Sequence, residues 1–332
     1  MRIVVLAGGV GGAKYTRGLR EECIRRWPDG EGGTTAEIDV IVNTADDLWL
    51  AGLRLMPDFD SLLYALAGVN DEIRGWGRAG ETERVSDELA AWGAGWPWFT
   101  LGDLDLGTHI ARTSWLRDGM TPTQVAERLQ QRWTLGARLH PVTDHEIDTQ
   151  VLVDDPEAPA GTREMHFQEW WTRHRATMRA RSFRQLDIEV ARPAPGVLET
   201  LANADLIMLA PSNPVVSIGP ILGVPGVRDA VTAASAPVVG VSPIIAGSVV
   251  RGMADACLTA IGVATDAAAV ARHYGAASHG GLLDAWLVDE TDASSTSSLV
   301  SAGIRTAAVP LWMHDVDTSA TLAGDAIDLA LR

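Results

Sequence analysis

Apolar runs that end in glycine or polar residues alternate with helical patterns in the first part of the chain. Residues 2–7 form an apolar run that ends in a glycine-rich stretch, and residues 13–26 then have helical character. A second apolar run, residues 37–43, follows a loop rich in Gly and Thr. Short apolar runs bounded by turn residues are typical of buried strands. The pattern therefore predicts that a strand–helix–strand unit opens the chain.

The same alternation returns after residue 200. Apolar runs at residues 205–210 and 237–241 are separated by a helical pattern over residues 226–235. Alternating strands and helices are typical of an α/β fold with a mostly parallel sheet that is covered by helices on both faces.

Short elements are predicted toward the end of the chain. Residues 285–288 and 306–309 have the pattern of further strands. We expect the last helix to begin near Thr318, with Asp317 or Thr318 as its N-cap.

The middle of the chain, about residues 70–185, is rich in Trp and Arg and lacks this alternation. Helices are predicted at residues 85–92, 108–117, 121–133 and 164–179. We interpret the region as a helical insertion that covers the active-site edge of the sheet, within a single α/β domain over residues 1–332.

Charge and cysteine content exclude several classes of partner. Lys and Arg total 27 against 43 Asp and Glu, for a formal net charge of −16. Nucleic acids and anionic membranes are bound by clustered cations, so we expect neither as a partner. Two cysteines are too few for a disulfide scaffold, and the apolar run before the glycines is too short for a signal peptide. We therefore expect a cytoplasmic protein.

The only lysine of the chain, Lys14, follows the glycine-rich residues 8–13, GGVGGA. Glycines at the start of a helix expose backbone N–H groups that bind phosphate, and a compact ammonium suits a crowded phosphate. The loop is neither a Walker A motif nor a full dinucleotide fingerprint, because Lys14 stands where the third glycine is expected. The sequence favours a nucleotide or diphosphate site, with a simple tight turn as the alternative.

Acidic residues follow the second predicted strand and recur in a later turn. Asp46 and Asp47 come directly after residues 37–43, and Asp60 stands in the turn before a helical pattern at residues 62–67. Carboxylates at a sheet edge could hold a divalent cation or a substrate hydroxyl. The alternative is helix capping, in the second case by Asp60 or Ser61.

A third acidic turn contains Asp103 and Asp105 and leads into Thr108 and His109. Acidic residues in three loops suit Mg²⁺, which prefers oxygen ligands. A capped turn with a surface histidine is the alternative. No HExxH, cysteine cluster or GxSxG motif is present, so structural zinc and serine-hydrolase chemistry are not expected.

Ser212, Asn213 and Pro214 follow the predicted strand at residues 205–210. Side-chain donors on a stiff turn could bind a base or a ribose, although turn chemistry alone also explains them. Residues 242–248, SPIIAGS, form another loop at the same predicted edge of the sheet.

Six motifs in this order resemble the CofD family, in particular its Arg- and Trp-rich actinobacterial members. They are GGVGGAK, NTADDLW, PDFDSLLYALAG, LGDLDLGTHI, APSNPVVSIGPIL and VSPIIAG, and the resemblance runs from residue 1 to about residue 262. The resemblance implies a Rossmann-like fold and a role in the biosynthesis of coenzyme F-420. It implies transfer of a phosphoenolpyruvyl or phospholactyl group from a guanosine diphosphate conjugate to the ribityl hydroxyl of the deazaflavin Fo, with release of GMP.

The resemblance also implies roles for individual residues. The diphosphate would be held by Gly9, Gly11, Gly12 and Lys14, and the guanosine would face Ser212, Asn213 and Pro214. Asp46 and Asp60 would orient Mg²⁺ or the attacking hydroxyl, with Asp103, Thr108 and His109 near the deazaflavin. Val10 departs from the family pattern, in which Thr is common.

Two other functions remain open at this stage, a non-enzymatic nucleotide-sugar-binding protein of the related superfamily and an NAD-dependent dehydrogenase. The incomplete fingerprint disfavours the dehydrogenase. We expect an enzyme that acts as a homodimer. The sequence does not distinguish an enolpyruvyl from a lactyl donor, and it assigns no role to residues 155–185 or 263–332.

Overall fold

The computed structural model describes residues 1–95 and 97–332, which contain both strands and helices. In chain order the strands are β1 (Arg2–Ala7), β2 (Glu37–Val42), β3 (Leu48–Leu50), β4 (Leu53–Leu55), β5 (Arg138–Pro141), β6 (Asp148–Asp154), β7 (Thr162–His166), β8 (Ala180–Leu186), β9 (Leu206–Leu209), β10 (Val238–Val241), β11 (Ile244–Ile245), β12 (Ser248–Val249), β13 (Ala285–Val288) and β14 (Arg305–Ala308).

The α-helices are interleaved with these strands. They are α1 (Gly9–Arg26), α2 (Pro57–Ala67), α3 (Arg84–Ala91), α4 (Asp103–Arg117), α5 (Pro122–Gln130), α6 (Val197–Ala202), α7 (Gly219–Gly223), α8 (Val227–Ala233), α9 (Ala254–Ala260), α10 (Ala267–Tyr274), α11 (Thr296–Ser301) and α12 (Val316–Ala330).

Seven parallel strands form the main sheet in the order β14-β13-β10-β9-β1-β2-β5. β1 pairs with β2 on one side and with β9 on the other, so the chain reverses its direction of strand addition at β1. In doubly wound sheets ligands bind outside the carboxyl ends of the strands at this reversal. The predicted Rossmann-like α/β fold is confirmed.

Two hydrophobic cores cover opposite faces of this sheet. One core contains buried side chains of α1, α2, α5 and α12, and the other contains side chains of α6, α7, α8 and α10. The strands between them are nearly continuous apolar runs because both of their faces are buried. β9, β10 and β13 are buried at every position.

The middle region is only partly helical, contrary to the prediction. β6, β7 and β8 form an antiparallel sheet of their own. The helix predicted over residues 164–179 is instead the end of β7, a π-helical turn at Glu169–Arg173 and the loop that leads to β8. Trp170 is fully buried there, with its ring 5.5 Å from that of Phe183. Packing of the buried Trp170 against the partly buried Phe183 outweighs the helical pattern of the Trp- and Arg-rich segment. β5 also lies within the predicted insertion but belongs to the main sheet.

Three predicted helix starts are wrong by a few residues. α2 begins at Pro57 with Met56 at the N-cap position, and α4 begins at Asp103 rather than Thr108. Asp60 and Ser61 therefore do not cap α2. α12 begins at Val316, and its N-cap is Asp315, whose carboxylate accepts the Thr318 N–H at 2.8 Å. Thr318 fits the third helical position because its hydroxyl bonds back to Asp315, which completes a capping box.

Within the described residues no single helix has both the length and the apolar composition needed to cross a membrane. Two helical segments, Pro214–Gly223 and Val227–Ala233, meet that criterion only when taken together, and they are bent by 85° relative to each other.

Candidate functional site

A cleft of about 1140 Å³ lies at the carboxyl edge of the main sheet, where the strand order reverses. The loops after β1, β2, β9, β10 and β14 line it together with residues of the middle region. A second cavity of about 580 Å³, beside β12 and α9, shares no lining residue with the cleft and contains none of the predicted site residues.

The glycine loop forms the floor of this cleft. β1 ends at Ala7 and α1 begins only two residues later, at Gly9, whose φ is +64°. The backbone thus turns within Gly8 and Gly9, and the first amide groups of α1 lack carbonyl partners within the helix. Gly11 allows α1 to approach the next loop, because a Cβ atom there would lie 2.7 Å from the Pro211 carbonyl oxygen.

Lys14 lies on the exposed side of the first turns of α1 and lines the cleft. Its ammonium donates a 3.4 Å hydrogen bond to the Met313 carbonyl, which leaves most of its charge available to an anion. Gly9 and Gly11 line the cleft as well, whereas Gly12 is buried beneath them against Ser212.

The loop after β9 binds the glycine loop rather than presenting free donors. The Ser212 hydroxyl donates to the Gly8 carbonyl at 2.7 Å and accepts the Gly8 N–H at 3.1 Å. Asn213 caps the π-helical turn that begins at Pro214, because its Oδ1 accepts the amide of Val215 at 2.9 Å. Ser212 and Asn213 line the cleft, but their hydrogen bonds are made within the protein.

Asp46 and Asp58 form an acidic pair next to the glycine loop, and among the described residues neither forms an ion pair with a cation. Asp58 accepts a 2.9 Å hydrogen bond from the Asn43 amide group. It lies so close to Gly8 that a Cβ on that glycine would be 2.3 Å from its Oδ2. Oδ1 of Asp46 is buried and has no hydrogen-bond partner among the described residues.

The pKa values of this pair reflect buried charge. Burial raises the pKa of Asp46 well above its usual range, and the neighbouring carboxylates of Asp58 and Asp47 raise it further. Burial also raises the pKa of Asp58 to about 6, although hydrogen bonds from Asn43 and Gly9 oppose the rise. Asp47 does not line the cleft. It lies 3.7 Å from the buried guanidinium of Arg54.

Asp60 belongs to a second acidic group, which includes a buried cation. The Arg112 guanidinium is fully buried and donates to Oδ1 of Asp60. Burial raises the pKa of Asp60, and the charge of Arg112 opposes that rise. Arg112 stays protonated at any ordinary pH and would be uncompensated without the Asp60 anion. Asp60 lines the cleft, and its buried Oδ2 makes no hydrogen bond within the described structure.

Arg112 also fixes the orientation of His109. Its Nη1 lies 3.0 Å from Nδ1 of His109, and because a guanidinium only donates, Nδ1 is the acceptor. Nε2 faces the Asp105 carboxylate at 3.3 Å, and the Tyr64 hydroxyl donates to the same carboxylate at 2.7 Å. Burial alone would raise the pKa of Asp105, but His109 and Tyr64 outweigh it and the pKa is lowered.

The remaining predicted residues lie outside the cleft lining. Asp103 accepts the amide and the hydroxyl of Thr82, at 3.0 and 2.8 Å, and so joins α4 to the segment before α3. Thr108 is buried beside Tyr64. Pro214 starts the π-helical turn behind Asn213. Asp103 and Thr108 therefore support the site from outside.

Two sets of side chains could hold a cation. The ligating atoms of Asp60, Asp105 and His109 lie within 4.8 Å of one another. Arg112 contacts two members of this set, and a guanidinium repels a metal ion. Asp46 and Asp58 offer two carboxylates without a cation and with a free buried oxygen, which is the donor chemistry that Mg²⁺ prefers.

Several residues of the site are absent from the sequence prediction. Asp58 lies two positions before Asp60, the nearer of the two predicted helix caps, and its role depends on the contact with Gly8. Arg112 lies one helical turn after His109, so helical spacing could have indicated that they share a face. The 311–314 loop reaches the cleft on its way from β14 to α12, which packs in the same core as α1, and no local sequence pattern indicates that contact.

Comparison with known proteins identifies the family. The sequence model described as "2-phospho-L-lactate transferase CofD" matches residues 3–322. A protein of Thermobifida fusca (strain YX) named phosphoenolpyruvate transferase is 52% identical over all of this chain and 98% of its own length. A protein of the same name from Nocardia farcinica (strain IFM 10152) is 49% identical over 99% of this chain and 95% of its own.

Among solved structures, a UPF0052 family protein from Bacillus halodurans superposes with a TM-score of 0.62 over 98% of both chains, at 14% identity. This likeness concerns the fold alone. The family match covers nearly the whole chain and the relatives are about half identical, so this chain belongs to the CofD family.

Proposed function

We propose that this protein transfers a phosphoenolpyruvyl group from a guanosine diphosphate conjugate to the ribityl hydroxyl of the deazaflavin Fo, and that GMP is released. Family membership and the names of the relatives support a transferase of coenzyme F-420 biosynthesis. Those names favour the enolpyruvyl over the lactyl donor. The observation that carries the proposal is one cleft in which a glycine loop with Lys14 faces two unpaired carboxylates, Asp46 and Asp58.

The donor diphosphate would bind at the start of α1. The first amide groups of the helix and the positive end of its dipole favour an anion there, and the Lys14 ammonium adds a full charge. Ser212 keeps the loop in this shape through its two hydrogen bonds with Gly8. The chain's own groups thus supply positioning and positive charge, which are the main requirements of phosphoryl transfer.

The acidic pair of the cleft has the donor chemistry to hold a magnesium ion. Asp46 and Asp58 would hold it, since they are the cleft carboxylates without a cationic partner. When bound, Mg²⁺ would neutralise the charge that develops on the diphosphate oxygens during transfer. Asn43 orients Asp58 through its 2.9 Å hydrogen bond, as is common around metal ligands.

The acceptor hydroxyl would bind on the side of the second acidic group. Oδ2 of Asp60 is the free oxygen there, and Arg112 holds the carboxylate in place from behind. The hydroxyl oxygen forms a bond to the phosphorus that carries the enolpyruvyl group, the bond from that phosphorus to the GMP oxygen breaks, and Asp60 accepts the hydroxyl proton. No covalent enzyme intermediate is needed.

The proposal is tested by incubating the pure protein with Fo, Mg²⁺ and either the enolpyruvyl or the lactyl conjugate of diphosphoguanosine. Mass spectrometry of the deazaflavin and chromatography of GMP give the readout. We expect one GMP for each Fo modified, with the enolpyruvyl conjugate preferred. Binding of the conjugate without any modification of Fo would contradict the transferase proposal and favour a non-enzymatic nucleotide-binding protein.

A further inference from the structure

The loop between β14 and α12, residues 311–314, presents an indole ring to the cleft that no step of the proposed reaction uses. Trp312 is 48% exposed and lines the cleft, as does His314 two positions later. Side chains in an extended segment alternate between two sides. All four residues of the loop line the cleft, but Leu311 and Met313 also pack against the hydrophobic core, which leaves Trp312 and His314 as its aromatic surface.

This loop is held in place at several points. The Leu311 amide donates to the buried Asp289 carboxylate at 3.1 Å, and the Met313 carbonyl accepts from Lys14 at 3.4 Å. The next residue, Asp315, caps α12 through a capping box. The rings of Trp312 and His314 are parallel to within 7°, with centroids 6.0 Å apart, so their contact also fixes the plane of the indole. The aromatic surface is therefore ordered before any ligand binds.

The hydrogen bond from Lys14 joins this surface to the phosphate-binding loop. Met313, whose carbonyl accepts from Lys14, is flanked by Trp312 and His314, so the aromatic surface lies beside the cation of the phosphate site. The base of a nucleoside diphosphate whose phosphates bind at Lys14 would thus be within reach of Trp312. Ser212 and Asn213 use their hydrogen bonds within the protein, so they leave the base without these partners.

We propose that Trp312, with its plane set by His314, is a stacking platform for the purine base of the nucleoside diphosphate donor. This inference rests on the proposed function, because it assumes that the donor diphosphate binds at Lys14. Stacking does not depend on the exocyclic groups of the base, so the platform gives affinity for a purine ring without selecting guanine over adenine.

Calorimetric titrations with GDP and with inorganic pyrophosphate, both with Mg²⁺, separate stacking from phosphate binding. We compare the parent protein with Trp312→Leu, which keeps apolar bulk but loses the π face, and with Trp312→Phe, which keeps a smaller ring. Trp92→Ala is the matched control, since Trp92 is 79% exposed and lies outside the cleft lining. Melting temperatures report whether each variant remains folded.

We expect Trp312→Leu to weaken GDP binding about tenfold or more while pyrophosphate binding stays unchanged. Trp312→Phe should retain most of the affinity for GDP, and Trp92→Ala should match the parent for both ligands. Unchanged GDP binding in Trp312→Leu would overturn the platform. Equal loss of GDP and pyrophosphate would also overturn it, because the loop would then act on the phosphate site.

A fluorescence titration with Fo tests the alternative that Trp312 stacks on the deazaflavin rather than on the base of the donor. If Trp312→Leu weakens Fo binding and leaves GDP binding intact, the indole stacks on the deazaflavin and the platform assignment is wrong. These outcomes differ from failure of the proposed function, in which the parent itself binds neither GDP nor pyrophosphate.

Discussion

The cleft contains two groups of buried aspartates, and they differ in whether a cationic side chain balances their negative charge. Asp46 and Asp58 are buried without a cation, and burial raises the pKa values of both. Asp60 and Asp105 are equally buried, but Arg112 and His109 contact them. A buried charge without a partner is costly in free energy, and a protein retains one where a ligand supplies the missing charge. This difference is the basis for proposing metal binding by the first group and orientation of the acceptor by the second.

The largest difference between the groups is expected in the stability of the metal-free protein. Asp60→Asn leaves the fully buried Arg112 uncompensated, and removing one partner of a buried ion pair costs about 3–5 kcal/mol. Asp46→Asn removes an unpartnered buried charge and should leave the free energy of unfolding unchanged or higher. Urea denaturation without Mg²⁺ measures both variants. An equal loss of stability in the two would show that the groups do not differ in compensation.

The second prediction concerns turnover. Asp58→Asn preserves the shape of the side chain and can still accept the Asn43 hydrogen bond, but it removes the charge. Loss of an outer partner of a metal site already costs about 10–100-fold, so loss of a direct ligand should cost at least about 100-fold in turnover at moderate Mg²⁺. Asp103→Asn is the control, because Asp103 binds Thr82 outside the cleft lining. Comparable losses in both variants would argue against a metal role for Asp58.

A smaller effect is expected at the cation of the phosphate site. Lys14→Ala should weaken pyrophosphate binding about tenfold, the scale of a hydrogen bond to a charged group, with little change in stability since Lys14 is exposed. Lys14→Arg should be only partly tolerated because the guanidinium is larger and planar. Arg17→Ala, one turn further along α1 and paired with Glu72, serves as the control. Full activity of both Lys14 variants would contradict a role for Lys14 in binding the phosphates.

The smallest effect is a pH dependence of the metal-free protein. The pKa of Asp58 is raised to about 6 in the folded state, above the usual value of the unfolded chain. The folded state therefore binds the extra proton, and stability falls as the pH rises from about 4 through 6. The melting temperature without Mg²⁺ should be lower at pH 7 than at pH 5, and Asp58→Asn should reduce that slope. A melting temperature that rises over this range in the parent would contradict the assigned burial.

The fold was largely predictable because its signals are local. Apolar runs bounded by glycine or polar residues marked β1, β2, β9 and β10, whose parallel pairing leaves both faces buried. The antiparallel sheet of the middle region was missed, because packing of Trp170 against Phe183 joins segments whose local pattern favours a helix. The predicted N-cap of α12 was wrong because Asp315, Asp317 and Thr318 are all residue types that cap helices well.

The candidate site was predicted less completely, for reasons of tertiary contact. Asp46, Asp60, Lys14 and His109 do line one cleft, as expected for loops at the carboxyl ends of parallel strands. Which of the aspartates has a cationic partner depends on Arg112, from a helix some fifty residues further along the chain than Asp60. Hydrogen bonds of Ser212 and Asn213 with the protein backbone were likewise not visible in the sequence. The roles of these residues stay predictions.

The most direct test of the comparison is calorimetric titration of Mg²⁺ into three proteins. They are the parent, Asp58→Asn, and a double variant with Asp60→Asn and Arg112→Met, in which the buried charges are removed together so that neither is left uncompensated. We predict that the double variant binds Mg²⁺ like the parent and that Asp58→Asn has lost the binding. Loss of Mg²⁺ binding in the double variant, with binding retained in Asp58→Asn, would contradict the assignment of the metal to the unpaired carboxylates.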